Sequence, residues 1–202
     1  MYFNQVSNYN LEDYKKAIKL SVLSHKKASL LINILEMVKN VDGDMAELGV
    51  YRGGSAYLIH KKYPTRILHL FDSFDGMKEP IQSNEYHKQG DFDDTSLEFV
   101  AANLNYSKYV YFHKGWFPES IPEHMYDKKY SFVHLDGDYY ESTLDAINYF
   151  YPRMSKNGII VLDDYVASNT PNVKRAILEL KEKYNYKFYV TDLEQAVIKK
   201  LY

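Results

Sequence analysis

The chain contains no cysteine. That excludes disulfides, zinc–thiolate centres and cysteine nucleophiles, and it fits a cytoplasmic protein. An excess of charge is lacking too. The 25 Lys and Arg residues nearly balance the 27 Asp and Glu, leaving a formal net charge of −2. A nucleic-acid partner is therefore not expected. The densest basic stretch, Lys181 to Lys187, alternates with Glu182 and tyrosines and reads as the solvated end of a helix. No apolar run approaches the roughly 20 residues of a membrane span, and Met1-Tyr2-Phe3-Asn4-Gln5 lacks a basic-then-apolar leader pattern. Phosphate-binding glycine loops are missing as well: there is neither Gly-Lys-Ser/Thr nor G-x-G-x-x-G. With no repeat and no Pro/Gly-rich linker, one domain over residues 1–202 is expected.

What is present alternates between short apolar runs and helical patterns, which predicts β-α-β units and a mostly parallel sheet. Apolar residues from Leu20 to Val38 recur at helical spacing, so residues 1–40 are expected to form a helical extension of one or two amphipathic helices. The core, 41–202, opens with a strand, Met45 to Val50, running into a glycine turn and a helix from Ser55 to Lys62. Arg66–Asp72 is the second strand. A polar stretch, Ser73 to Asp94, precedes a helix capped by Thr95 or Ser96. Strands follow at Tyr109–Phe112, Ser131–Asp136 and Gly158–Asp163, with helices at Ser142–Phe150 and Val173–Tyr184. Lys187–Val190 and Ala196–Leu201 are too closely joined for a helical crossover and read as an antiparallel pair at the sheet edge. The expected fold is a Rossmann-like, seven-stranded, mostly parallel sheet with an antiparallel last strand and helices on both faces.

In open α/β sheets, ligands bind beyond the carboxyl ends of the strands. Here those ends carry Glu47, Asp72, Asp136, Asp138, Asp163 and Asp164. Carboxylates crowded on one rim repel and raise one another's pKa. A divalent cation is the simplest compensation, since hard cations take oxygen ligands, and Asp136, Asp163 and Asp164 are the expected ligands. A single Asp after a strand is commonly a turn or cap residue. Two acidic pairs ending consecutive strands are harder to account for that way.

The turn Glu47-Leu48-Gly49-Val50-Tyr51-Arg52-Gly53-Gly54-Ser55 lets a ligand approach the backbone closely. Its acid would be awkward beside a pyrophosphate and favourable beside an ammonium. S-adenosylmethionine carries an ammonium and a sulfonium and no phosphate. Asp72, ending the next strand, is placed to accept hydrogen bonds from a ribose. Trp116, the only tryptophan, can stack on an adenine or simply pack. His134 and His69 read as buried, hydrogen-bonded histidines; His87, in the polar stretch, is the one placed to reach a substrate.

These stretches resemble the macrocin O-methyltransferase (TylF) family, whose members methylate sugar hydroxyls of macrolide and aminocoumarin antibiotics. The resemblance rests on Ala46 to Ser55, Phe71-Asp-Ser-Phe-Asp-Gly76, Gly90-Asp-Phe92, Gly115-Trp-Phe117, Val133 to Thr143 and Leu162-Asp-Asp-Tyr165, in the family's order. It implies that Glu47, Gly49 and Ser55 contact the methionine end of the cofactor and that Asp72 and Ser73 hold its ribose. Trp116, with Gly115, would lie near the adenine, and Asp136 would border the cofactor while binding magnesium with Asp163 and Asp164. Asp138 would be the general base, as in the aminocoumarin-type members; some macrolide members are thought to use a histidine instead. The implied partner is a small-molecule hydroxyl acceptor, a sugar or glycan precursor, and a homo-oligomer is in keeping with the family. The chain is shorter than the antibiotic-tailoring members before the first strand and in the Ser73–Asp94 loop, so acceptor identity does not carry over. The rival readings are a metal-dependent glycosyltransferase using Asp136-Gly137-Asp138, a nicotinamide oxidoreductase, and a non-catalytic binding module.

Overall fold

The structure, a computed structural model, describes residues 9–82, 84–168 and 170–202; residues 1–8 of the expected N-terminal helical segment lie outside it. That segment folds as two helices, α1 (Leu11–Lys19) and α2 (His25–Met37). The break has a local cause. The Ser21 hydroxyl donates to Ala17 O at 2.9 Å, and Ser24 caps α2 by accepting the Lys27 N–H at 3.2 Å.

Then come β1 (Asp44–Leu48), α3 (Gly54–Lys62), β2 (Leu68–Asp72), α4 (Leu97–Asn103), β3 (Val110–Lys114), β4 (Tyr130–Leu135), α5 (Tyr140–Phe150), β5 (Met154–Leu162), α6 (Pro171–Tyr184), β6 (Phe188–Val190) and β7 (Ala196–Lys199). The order across the sheet is β3-β2-β1-β4-β5-β7-β6. β1 to β5 run parallel, and β7 is antiparallel to both β5 and β6. This is the expected mostly parallel sheet with its antiparallel last strand. β5 starts four residues earlier than the pattern implied, at Met154, because its first residues pair with Tyr130 across a register shift. Ser96, rather than Thr95, caps α4.

Strand alternation sends residues to two faces. Met45, Leu68, Leu70, Phe132, Ile159 and Val161 pack under α1 to α4; Ala46, Leu48, Phe71, Val133, Leu135 and Ile160 pack under α5 and α6. The first core also contains Ala17, Leu31, Ile32 and Leu35, so the N-terminal helices share a core with the sheet. No described helix is long and apolar enough to cross a membrane.

β1 lies between β2 and β4, where the strand order reverses, and connections leave the two strands in opposite directions. A crevice opens at such a point beyond the carboxyl ends. β1 and β4 run in register from Met45↔Phe132 to Leu48↔Leu135, which brings Gly49 and Asp136 side by side just past both strands.

Candidate active site

The crevice is a cavity of about 370 Å³. Gly49, Ser55, Asp72, Ser73, Gly115, Trp116, Asp136, Asp138, Asp163 and Asp164 all border it. Of the expected cofactor, metal and catalytic residues, only Glu47 lies behind the wall.

Gly49 is a glycine because two constraints meet there. Its φ is +80°, and a Cβ would stand 1.8 Å from the Asp136 carbonyl oxygen. The approach is fixed by the Asp136 N–H donating to Leu48 O at 2.9 Å and the Gly49 N–H to Phe71 O at 3.1 Å. Gly49→Ala is therefore expected to cost at least about 1–3 kcal/mol of stability. Thermal unfolding with and without S-adenosylhomocysteine checks this; a native-like midpoint and an undiminished ligand-induced rise would refute it.

Asp72 straps the turn. Its Oδ2 accepts the Val50 and Tyr51 N–H groups at 2.7 and 2.9 Å, and its Oδ1 accepts that of Phe74 at 2.7 Å. Oδ1 thus keeps one acceptor position. The Ser73 hydroxyl donates to Gly76 O at 2.8 Å, which spends its only proton within the loop. Gly53, at φ +83°, starts α3 without a side-chain cap. The first-turn N–H groups of α3, including that of Ser55, form an N-terminus suited to a carboxylate. Trp116 is 41% exposed at the opposite wall, with Lys78 Nζ 5.9 Å from its ring.

Glu47, His134 and Asp163 project toward the α2 side of the sheet. Glu47 and His134 are cross-strand neighbours, and His134 Nδ1 donates to Glu47 Oε1 at 2.7 Å. His134 Nε2 lies 3.8 Å from Asp163 Oδ1. Burial alone would lower the His134 pKa; Asp163 and Glu47 outweigh it and hold the imidazolium well above the usual histidine range. The second Glu47 oxygen, Oε2, is buried with no hydrogen-bond partner. An orphaned acceptor of that kind calls for a donor, and an ammonium supplies one.

Oxygens of Asp136, Asp138 and Asp164 converge within 4.8 Å of one another. Burial, then the neighbouring carboxylates, raises Asp136 well above the carboxylate range and pushes Asp138 up to about 8. Asp138 and Asp164 hold left-handed backbone angles, φ +59° and +60°. Such conformations concentrate at functional sites. Asp163 is engaged elsewhere: Gln195 Nε2 donates to its Oδ1, and Lys27 Nζ stands 3.5 Å from its Oδ2. Burial would raise its pKa, but the contact with His134 and the charge of Lys27 bring it down to about 2. The carboxylate oxygens are hard donors that fit a divalent cation.

Two features escaped the sequence reading. Lys27 reaches the rim from the first turn of α2, with Nζ 3.2 Å from Asp164 Oδ1. A signal for it existed: His25-Lys26-Lys27 opens a helix where acidic residues are favoured by about 0.3–1 kcal/mol. The second is the docking of the Ser73–Asp94 loop. The Tyr139 hydroxyl contacts Lys78 O and His87 O at 3.2 Å, and Glu85 accepts the Tyr140 N–H at 3.0 Å. His87 lies 3.3 Å from Asp91 and 3.9 Å from Asp138. Asp91 thus holds the loop histidine beside the rim.

A seven-stranded sheet in this order, with a glycine turn and acids at its switch point, is the Rossmann-like fold of O-methyltransferases. Residues 16–198 match the model of the macrocin-O-methyltransferase (TylF) family, and the chain belongs to that family of O-methyltransferases. It is 26% identical to mycinamicin III 3''-O-methyltransferase of Micromonospora griseorubida, over 91% of this chain and 78% of that one. It is 31% identical to demethyldecarbamoylnovobiocin O-methyltransferase of Streptomyces niveus, over 72% of this chain and 61% of that one. Among solved structures, the O-methyltransferase NovP superposes with a TM-score of 0.76 at 27% identity, covering 96% of this chain and 89% of NovP.

Proposed function

We propose that this methyltransferase transfers a methyl group to a hydroxyl of a sugar or glycan precursor, with a divalent cation held on the aspartate rim. The gathering of Asp136, Asp138, Asp163 and Asp164 on one rim, with Asp136 and Asp164 oxygens converging beside that of Asp138, next to the wall that carries Gly49, Asp72 and Trp116, supports this reading most directly. Another relative is an O-methyltransferase of a rhamnosyl-bearing tetracenomycin, which supports the sugar acceptor.

Bound S-adenosylmethionine supplies an electrophilic methyl group on its sulfonium. In this reading Glu47 Oε2 accepts from its ammonium, the first turn of α3 with Ser55 takes its carboxylate, and Gly49 lets the chain approach it. Asp72 Oδ1 accepts from a ribose hydroxyl, Ser73 shapes the turn beside it, and Gly115 and Trp116 flank the adenine. Asp136, Asp163 and Asp164 hold the cation. A bound divalent cation lowers the pKa of a coordinated hydroxyl and fixes its oxygen. Asp138 takes the hydroxyl proton, and the docked loop with His87 and Tyr139 covers the reacting atoms from water.

The test combines two measurements. Calorimetry should show S-adenosylhomocysteine binding at one site per chain. Methyl transfer to a panel of nucleotide sugars and glycosides should fall at least about tenfold when chelator replaces magnesium. Absence of homologue binding would sink the cofactor site. Full turnover in chelator would remove the cation from the reading.

A further inference from the structure

The four rim aspartates do not stand alone. Lys27 stands among them, projecting from the first turn of α2 with only about a fifth of its side chain exposed. Its ammonium bridges Asp164 Oδ1 at 3.2 Å and Asp163 Oδ2 at 3.5 Å. These are two of the three residues read as cation ligands. An ammonium at hydrogen-bond distance and a divalent ion bound directly to the same oxygens would be like charges only a few ångströms apart. They exclude one another unless the lysine moves.

From this contact we propose that Lys27 is a tethered competitor of the divalent cation: its ammonium holds Asp163 and Asp164 in the metal-free rim and must withdraw for the metal to bind. The inference rests on the cation reading given above. Three observations favour competition over a plain ion pair. Lys27 stands in the turn of α2 where a positive charge is least favoured, so helix formation does not account for it. The Lys27 ammonium, with the His134 imidazolium that is shared with Glu47, cannot neutralise Asp136, Asp138, Asp163 and Asp164 together, so the rim keeps an attraction for a further, denser charge. The lysine stem is flexible, and Ser21, Val22 and Leu23 border the same cavity, with Val22 79% exposed.

Withdrawal would also change the ligand set. With Lys27 in place, Asp163 is held by Gln195, His134 and the ammonium, and Asp138 stands with Asp136 and Asp164. With Lys27 gone, Asp163 Oδ2 is released toward the cation. Asp138 is then left as the oxygen nearest a bound hydroxyl. Lys27 thereby sets the metal affinity of the site without touching substrate.

The experiment titrates manganese into the whole protein and follows free Mn²⁺ by electron paramagnetic resonance, with no acceptor present. Native chain, Lys27→Met, Lys27→Gln, Lys27→Arg and Lys27→Met/Asp164→Asn are compared, with S-adenosylhomocysteine binding as the check of folding. Removing one positive charge this close should tighten Mn²⁺ at least about tenfold in Lys27→Met and Lys27→Gln. Lys27→Arg should stay near native, and the double variant should lose the gain. Equal or weaker Mn²⁺ affinity in both neutral variants would overturn the competition while leaving the cation site standing. No saturable Mn²⁺ binding in any variant would overturn the cation reading itself. If Lys27→Met fails to fold, the Gln and Arg pair carries the same comparison.

Discussion

Asp138→Asn is expected to lower methyl transfer by about 10²–10⁴-fold, the usual loss on removing a general base. S-adenosylhomocysteine affinity should stay native, because Asp138 borders the acceptor side of the cavity beside His87 and Tyr139 rather than the glycine turn. The substitution is nearly isosteric and keeps the left-handed backbone at φ +59°, which asparagine also tolerates. A folding defect is therefore a poor rival explanation for the loss. Turnover within a factor of a few of native would remove Asp138 from the chemistry.

The same residue predicts a pH dependence. Burial and the nearby Asp164 and Asp163 push its carboxyl up to about 8, from an ordinary 3.8. A carboxyl with a raised pKa favours the folded state while protonated. Its contribution is complete below about pH 4 and is lost as pH rises through about 8. The unliganded protein should thus lose thermal stability as pH rises from about 4 to about 8, with the loss levelling off above about 8. Asp138→Asn should flatten that loss, since an amide has no proton to release. A cation bound to the neighbouring carboxylates should flatten it too, by drawing the proton off before unfolding does. In the proposed mechanism one carboxyl is both the group that accepts a proton in turnover and a source of instability at rest, the trade expected where a site is built from like charges.

Much of this was legible in the chain. The alternation of apolar runs gave all seven strands, and the carboxylates that end them fell on one rim because parallel strands put all their carboxyl ends on one edge. Gly49 was legible as a turn residue. Its reason was not, since the clash with the Asp136 carbonyl exists only once β1 and β4 pair in register. The division of labour among the aspartates was less legible. Asp163 differs from Asp164 through Gln195 and His134, and Gln195 lies far from it in sequence and meets it only through the β5–β7 pairing; Lys27 reaches both aspartates only through the packing of α2. Spacing reports which residues share a strand end; it does not report which of their oxygens are already taken. His134 illustrates the reverse. Strand alternation indicated a buried, bonded histidine, and the fold supplies the partner, Glu47, as its cross-strand neighbour.

That pair carries the second large effect. Glu47→Ala is expected to destabilise the protein by about 3–5 kcal/mol, the usual cost of breaking a buried ion pair from one side. Both side chains are essentially inaccessible to water, so the imidazolium of His134 would lose its shortest contact without gaining a solvent shell. Denaturant unfolding would show a lower midpoint at an unchanged slope. The loss should also depend on pH in a fixed sense. His134 has a raised folded pKa, so the pair's contribution is complete below about pH 6.5, the ordinary histidine value, and fades as pH rises through the folded value. Glu47→Gln separates the two roles of the carboxylate. An amide oxygen can still accept from His134, so stability should fall less than in Glu47→Ala. The Oε2 position would then carry a neutral amide where the cofactor's ammonium is expected, and S-adenosylhomocysteine affinity should drop about tenfold or more, the range for a lost bond to a charged group. A Glu47→Gln protein that binds the homologue as tightly as native would confine Glu47 to holding His134. The buried, unpartnered oxygen at the carboxyl end of β1 would then need another donor.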